Sequence, residues 1–162
     1  MGTLPLPPIT LRYSGLFDFD GLYVAVIDWA KNYGYRWHEK AYKHKVPTPA
    51  GAEQEFEWEI TRNVTDYINY TISFMVHVWD LREVVVENKI LSNGRISIII
   101  EGKINYDWQK GFSGGRFVRW LGIKYESNIK KEVESVHFDQ LYYTLWNLHA
   151  LMKKYFDIQT KK

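Results

Sequence analysis

Five histidines are the side chains of this sequence best suited to exchange protons or ligate a metal near neutral pH, and their spacing gathers none of them into a site. His38 and His44 share one face of a strand but stand six residues apart, roughly 20 Å along it, too far to hold one ion between them. His77 lies between Met75 and Trp79 on the wet side of another strand, while His137 and His149 belong to the C-terminal helical region. A metal centre would need three of these to converge, so neither metal nor cofactor is expected. Cysteine is absent, which removes disulfides, thiolate nucleophiles and Cys-ligated zinc or iron–sulfur sites.

The carboxylates read the same way. Glu53, Glu55, Glu57 and Glu59 alternate with Phe56, Trp58 and Ile60 after Gln54, the period of a solvated strand face and not of a buried acid–base pair. Asp80 continues the core-facing parity of its strand after Val78, and because an unpaired buried carboxylate is costly it is placed at the sheet rim. There is no G-x-S-x-G, and Gly111-Phe112-Ser113-Gly114-Gly115 lacks the Lys-Ser/Thr of a phosphate loop, so it reads as a turn. Lys110, Arg116, Arg119 and Lys124 interleave with Phe112, Phe117, Trp120 and Tyr125 in the manner of a single-strand nucleic-acid surface. On a helix, however, the bases form a solvated side with Phe117, Trp120 and Leu121 turned inward. The net charge of +2 adds no attraction to polyanions, so nucleic acid ranks last. The chain is not expected to be an enzyme.

The elements that position these residues are clearer. Leu4-Pro5-Leu6-Pro7-Pro8 is necessarily extended, which makes residues 1–9 a Pro-rich arm free to lie against a neighbour. Residues 10–157 read as one α+β domain, and residues 158–162 as a polar tail. Residues 10–17 alternate as a strand. Asp18 caps a helix that Phe17 staples to Leu22 and Gly34 closes, with Leu22, Val26, Trp29, Ala30 and Tyr33 as its apolar stripe. A hairpin around Pro47-Thr48-Pro49-Ala50-Gly51 would set Val46 opposite Glu53, His44 opposite Glu55 and Lys40 opposite Glu59, so that basic and acidic rows meet. Residues 67–86 and 95–108 follow as strands joined by a turn at Asn93-Gly94. Ile72, Phe74, Val76, Ile98 and Ile100 face the core, and Ser73, Glu101 and Lys103 face away. The last helix carries Phe138, Leu141, Leu145, Leu148, Met152 and Phe156 in one stripe. The fold class is therefore α+β, a twisted antiparallel sheet with one face covered by an N-terminal helix and a long C-terminal helix.

The start of the chain shows no secretory signal, and no stretch has membrane-spanning length, so a cytoplasmic protein is expected and the sequons at Asn63 and Asn69 are chance matches. Abundant Ile, Tyr, Trp and charge without Cys is the composition of a heat-adapted chain.

The order strand, helix, antiparallel strands, long C-terminal helix resembles the helix-grip topology of the START-like (SRPBCC) superfamily. That resemblance implies an apolar ligand or lipid held between sheet and last helix, in a cavity lined by Trp58, Tyr70, Phe74, Leu145 and Trp146. Dense packing of the same side chains against one another is the alternative. The other face of the sheet mixes Tyr67, Met75, His77, Trp79 and Ile99 with Thr71 and Ser73, a semi-apolar patch with a polar rim. The function expected first is a non-enzymatic protein-interaction or assembly module using that face, through self-association or a protein partner. A START-like carrier of an apolar ligand is the alternative.

Overall fold

The computed structural model describes residues 2–48, 51–106, 115, 120, 121, 123, 124 and 133–156, the side chains of 44–48, 133 and 134 excepted. In chain order these residues form β1 (Gly2–Pro5), β2 (Ile9–Phe17), α1 (Phe19–Asn32), β3 (Arg36–Thr48), β4 (Gly51–Asn63), β5 (Ile68–Val86), β6 (Lys89–Tyr106), a π-helical turn (Val133–His137) and α2 (Phe138–Lys153). All strand pairings are antiparallel: β6 is flanked by β5 on one side and by β1 and β2 on the other, and the sheet continues from β5 through β4 to β3. This is an α+β fold.

The proline arm is part of the sheet. Gly2–Pro5 pairs with β6 from Tyr106 to Lys103, Leu6 donates its backbone N–H to Gly102 at 2.8 Å, and β2 takes over at Ile9 opposite Ile100. Pro7 and Pro8 have no N–H to give, so the edge is interrupted there and resumes. The arm thus lies on its own β6.

Local chemistry explains α1. The Asp18 carboxylate accepts from Gly21 N–H at 2.9 Å, and at the far end Gly34 (φ +80) turns the chain so that Tyr35 N–H reaches Ala30 O at 2.7 Å. Leu22, Val26 and Ala30 are fully buried. On α2 the stripe Leu141, Leu145, Leu148 and Met152 is equally buried, each such side chain contributing about 1.5–3 kcal/mol by leaving water. The helix sits so close to β6 that a Cβ on Gly102 would stand 3.1 Å from Leu145 Cδ1 and 3.4 Å from Leu141 Cδ2. Both helices cover one face, and Ile72, Phe74, Val76, Ile98 and Ile100 point into it. No described helix packs on the other face, and none is long and apolar enough to cross a membrane.

Two expectations about strand register need correction. Lys45, not Val46, lies opposite Glu53, which sets His44 against Gln54 and Lys43 against Glu55. The register then shifts at a bulge between Glu39 and Ala41, so that His38 lies opposite Glu59, while Lys40 still reaches Glu59 with its Nζ 2.6 Å from Oε2. A bulge adds one residue to one strand, and alternation among exposed polar residues carries no trace of it. Asn93-Gly94 is likewise not the turn: Val86 pairs with Lys89 across Glu87 and Asn88 (φ 51 and 66), and Asn93 and Gly94 lie within β6 opposite Leu16 and Gly15. Gly94 instead admits a second bulge, between Trp79 and Arg82 of β5, since a Cβ there would be 2.7 Å from Trp79 O.

Candidate functional site: the open face of the sheet

The parity that buries Phe74 turns Met75, His77 and Trp79 of β5 to the uncovered side, and the β5–β6 register places Ile99, Ser97 and Arg95 directly opposite them. Met75 is 46% exposed, and His77, Trp79 and Ile99 are half-buried. His77 and Trp79 stack with ring centroids 3.8 Å apart and planes 17° from parallel. The Arg95 guanidinium lies 5.5 Å from the Trp79 ring centroid, a cation–π approach, and its Nε donates to Asp80 Oδ2 at 3.1 Å. Asp80 is accordingly at the rim, in a left-handed backbone conformation (φ 56).

Two depressions meet at Trp79 and Ser97. One, of about 450 Å³, is lined on the open side by Arg12, Ser14, Trp79, Arg95 and Ser97; the other, of about 270 Å³, by Glu55, Met75, His77, Trp79, Ser97 and Ile99. The sequence reading grouped Tyr67 with these residues, but Tyr67 stands just before β5 and packs against the edge of the core. At that end the open face is instead closed by a polar ladder: Thr3, Asn105, Asn69 and Asn63 occupy one row across β1, β6, β5 and β4 and hydrogen-bond side chain to side chain at 2.7–3.1 Å.

The β4–β5 register also sets Glu55 opposite His77. Glu53 Oε1 lies 2.6 Å from His77 Nε2 and Glu55 Oε1 3.4 Å from Nδ1. Glu53, Glu55 and His77 form a cluster of ligand-type atoms within 4.8 Å of one another, which reading the histidines alone missed. The cross-strand register of β4 and β5 was the signal that would have shown it. The two carboxylates approach opposite nitrogens of one ring, so joining them on a single ion would require the imidazole or a glutamate to turn. As it stands the cluster fixes the ring on which Trp79 stacks.

On the covered side, Trp58, Phe74 and Leu145 are fully buried and Tyr70 is 2% exposed. Trp58 is surrounded by the rings of Phe19, Tyr23, Trp37, Phe56 and Phe74 at centroid distances of 5.4–6.3 Å, and its Nε1–H, also buried, has no hydrogen-bond partner among the described residues. Trp146, expected to line a cavity with them, is 46% exposed. It lies one residue past Leu145, about 100° around α2, and on the outer side it meets Tyr142 and His149. Around Tyr70 the filling is polar: its hydroxyl is 2.6 Å from His137 Nδ1 and donates to Gln140 Oε1 at 3.3 Å. Burial pushes the Tyr70 and Tyr35 phenols up to about 12, against the opposing pull of Arg62 beside both. His149 is lowered by desolvation and then by Lys153.

Most of the basic–aromatic stretch from Lys110 to Tyr125 lies outside the described residues. Trp120 and Leu121, expected to turn inward, are exposed, with the Lys124 Nζ 5.3 Å from the Trp120 ring centroid. No protein-family model and no curated protein matches this chain.

Proposed function

We propose that the chain is a non-enzymatic assembly module that binds a second copy of itself through the open face of its sheet, with Trp79 at the centre of the contact. The observation that carries this reading is the placement of Met75, His77, Trp79 and Ile99 on the side no described helix covers, around two depressions that share Trp79. A face meant only for water carries small polar and charged side chains, whereas aromatic residues with Met and Arg are those enriched where proteins meet. The four columns β2, β6, β5 and β4, by about seven residues of strand, measure roughly 19 by 23 Å, smaller than the roughly 800 Å² of accessible surface per partner that a standard specific contact buries. A reversible dimer follows from that size.

Truncating a central aromatic anchor costs about 2 kcal/mol or more of association, about thirtyfold in affinity. Trp79→Ala should therefore shift a concentration-dependent dimer to monomer in analytical ultracentrifugation, while its thermal melt stays close to that of the parent. An unchanged association constant in that variant removes the open face from consideration.

A further inference from the structure

Resting on that reading, we infer that the two copies meet face to face about a two-fold axis parallel to the strands and lying between β5 and β6, so that Arg12 on β2 of each copy meets the glutamates of β4 on the other. The charge on this face is sorted into columns by strand. Arg12 on β2 is exposed, lines the larger depression beside Arg95, and has no hydrogen bond or ion pair among the described residues. Ser14 pairs with Arg95 and Arg12 with Ser97, so the two arginines are diagonal neighbours across β2 and β6, and of the two Arg95 is held by Asp80 and Trp79. On the far side of β5, β4 presents Glu53, Glu55, Glu57 and Glu59 to the same face. Glu53 and Glu55 engage His77 and Glu59 engages Lys40. Glu57 has no hydrogen bond or ion pair among the described residues, although it contributes to the raised pKa of Lys40.

Symmetry turns these columns into a choice. An isologous contact places each surface on its own rotated image. A two-fold axis lying in the plane of the contact and perpendicular to the strands would stack each strand on its own copy, four glutamates of β4 against four, and like-charge juxtaposition across an interface is strongly unfavourable. An axis parallel to the strands reverses the column order, so β2 falls over β4 and β5 over β6. The observed registers then bring Met75 over Ile99 of the second copy, His77 over Ser97 and Trp79 over Arg95, repeating across the interface the neighbours each has within its own sheet. Arg12 falls over Glu55 and within side-chain reach of Glu57, one row along.

The test uses the full chain. Arg12→Glu confronts glutamates with glutamate at both symmetry-related contacts, and Glu57→Arg confronts arginine with arginine, so each variant alone should associate at least tenfold more weakly than the parent. In an equimolar mixture the mixed pair has opposite charges at both contacts, and native mass spectrometry should show the heterodimer restored and identified by its mass. The neutral variants R12Q and E57Q should each weaken association less, and their mixed pair, which keeps one of the two Arg12–Glu57 contacts, should fall between either variant alone and the parent. A parent dimer whose charge variants remain dimeric, or whose mixture stays monomeric, overturns this geometry and leaves the assembly reading standing. A parent chain that is monomeric throughout overturns both.

Discussion

Tyr35 and Tyr70 hold two phenols in the covered half of the protein beside the same Arg62, and the balance of forces on them decides how the fold responds to alkali. Desolvation is the largest influence on each and raises the pKa from 10.0 to about 12, with the guanidinium pulling the other way. A phenol whose folded pKa lies above its unfolded value contributes stability that is complete below about pH 10 and is lost as the pH rises through about 12. Phenolate absorbance followed with circular dichroism should therefore show a last class of tyrosine ionising only as helix and strand signals fall. Tyr70→Phe keeps the ring and removes one of the two groups, so its alkaline transition should move to higher pH. A transition that stays in place would mean that the Tyr70 hydroxyl remains accessible to base in the folded chain.

At the scale of the elements, periodicity and capping were legible because they reflect single dominant causes. Alternation along β5 and β6 separated Phe74 from Met75 correctly, since a slip of one residue would expose a whole row of isoleucines, and Asp18 and Gly34 bounded α1 because each supplies a geometry few residues can. The β5–β6 turn was not legible. Glu87 and Asn88 take the left-handed conformations that Asn-Gly normally marks, and the real Asn93-Gly94 was consumed by a bulge at Trp79 that only the pairing of three strands reveals. The Lys40 bulge in β3, between Glu39 and Ala41, likewise shows only once β3 and β4 are paired. The turn carries its own prediction. Replacing Glu87-Asn88 by Asn-Gly puts the preferred residues at two positive φ values, where a non-glycine residue costs about 1–2 kcal/mol, and should stabilise the fold by about 0.5–2 kcal/mol in urea titration. A loss of stability would place the hairpin register elsewhere.

For the whole molecule, the sequence reading and the structure agree on which face of the sheet is open but differ on what that face contains. Reading the two long strands one at a time selects Tyr67, Met75, His77, Trp79 and Ile99. The paired strands drop Tyr67 to the core edge and add Arg12, Arg95, Glu53 and Glu55, residues distant in sequence that only register brings together. That addition changes the expected behaviour of an assembled pair, because it surrounds an apolar centre with charge. The Arg12–glutamate contacts occur twice by symmetry and lie toward the rim, where an exposed ion pair contributes about 0.2–1 kcal/mol, so together they are worth about twofold to thirtyfold in affinity. Screening shortens from about 10 Å at 0.1 M salt to about 3 Å at 1 M, so sodium chloride across that range should weaken the dimer within those limits without abolishing it. The Trp79 contact is not screened in this way, and Trp79→Ala should lower affinity by a similar factor at both ends of the range. Sedimentation of parent and variant at the two salt concentrations checks this, and a parent dimer that tightens as salt is added would show that the apolar centre acts without the charged columns and that charge does not orient the pair.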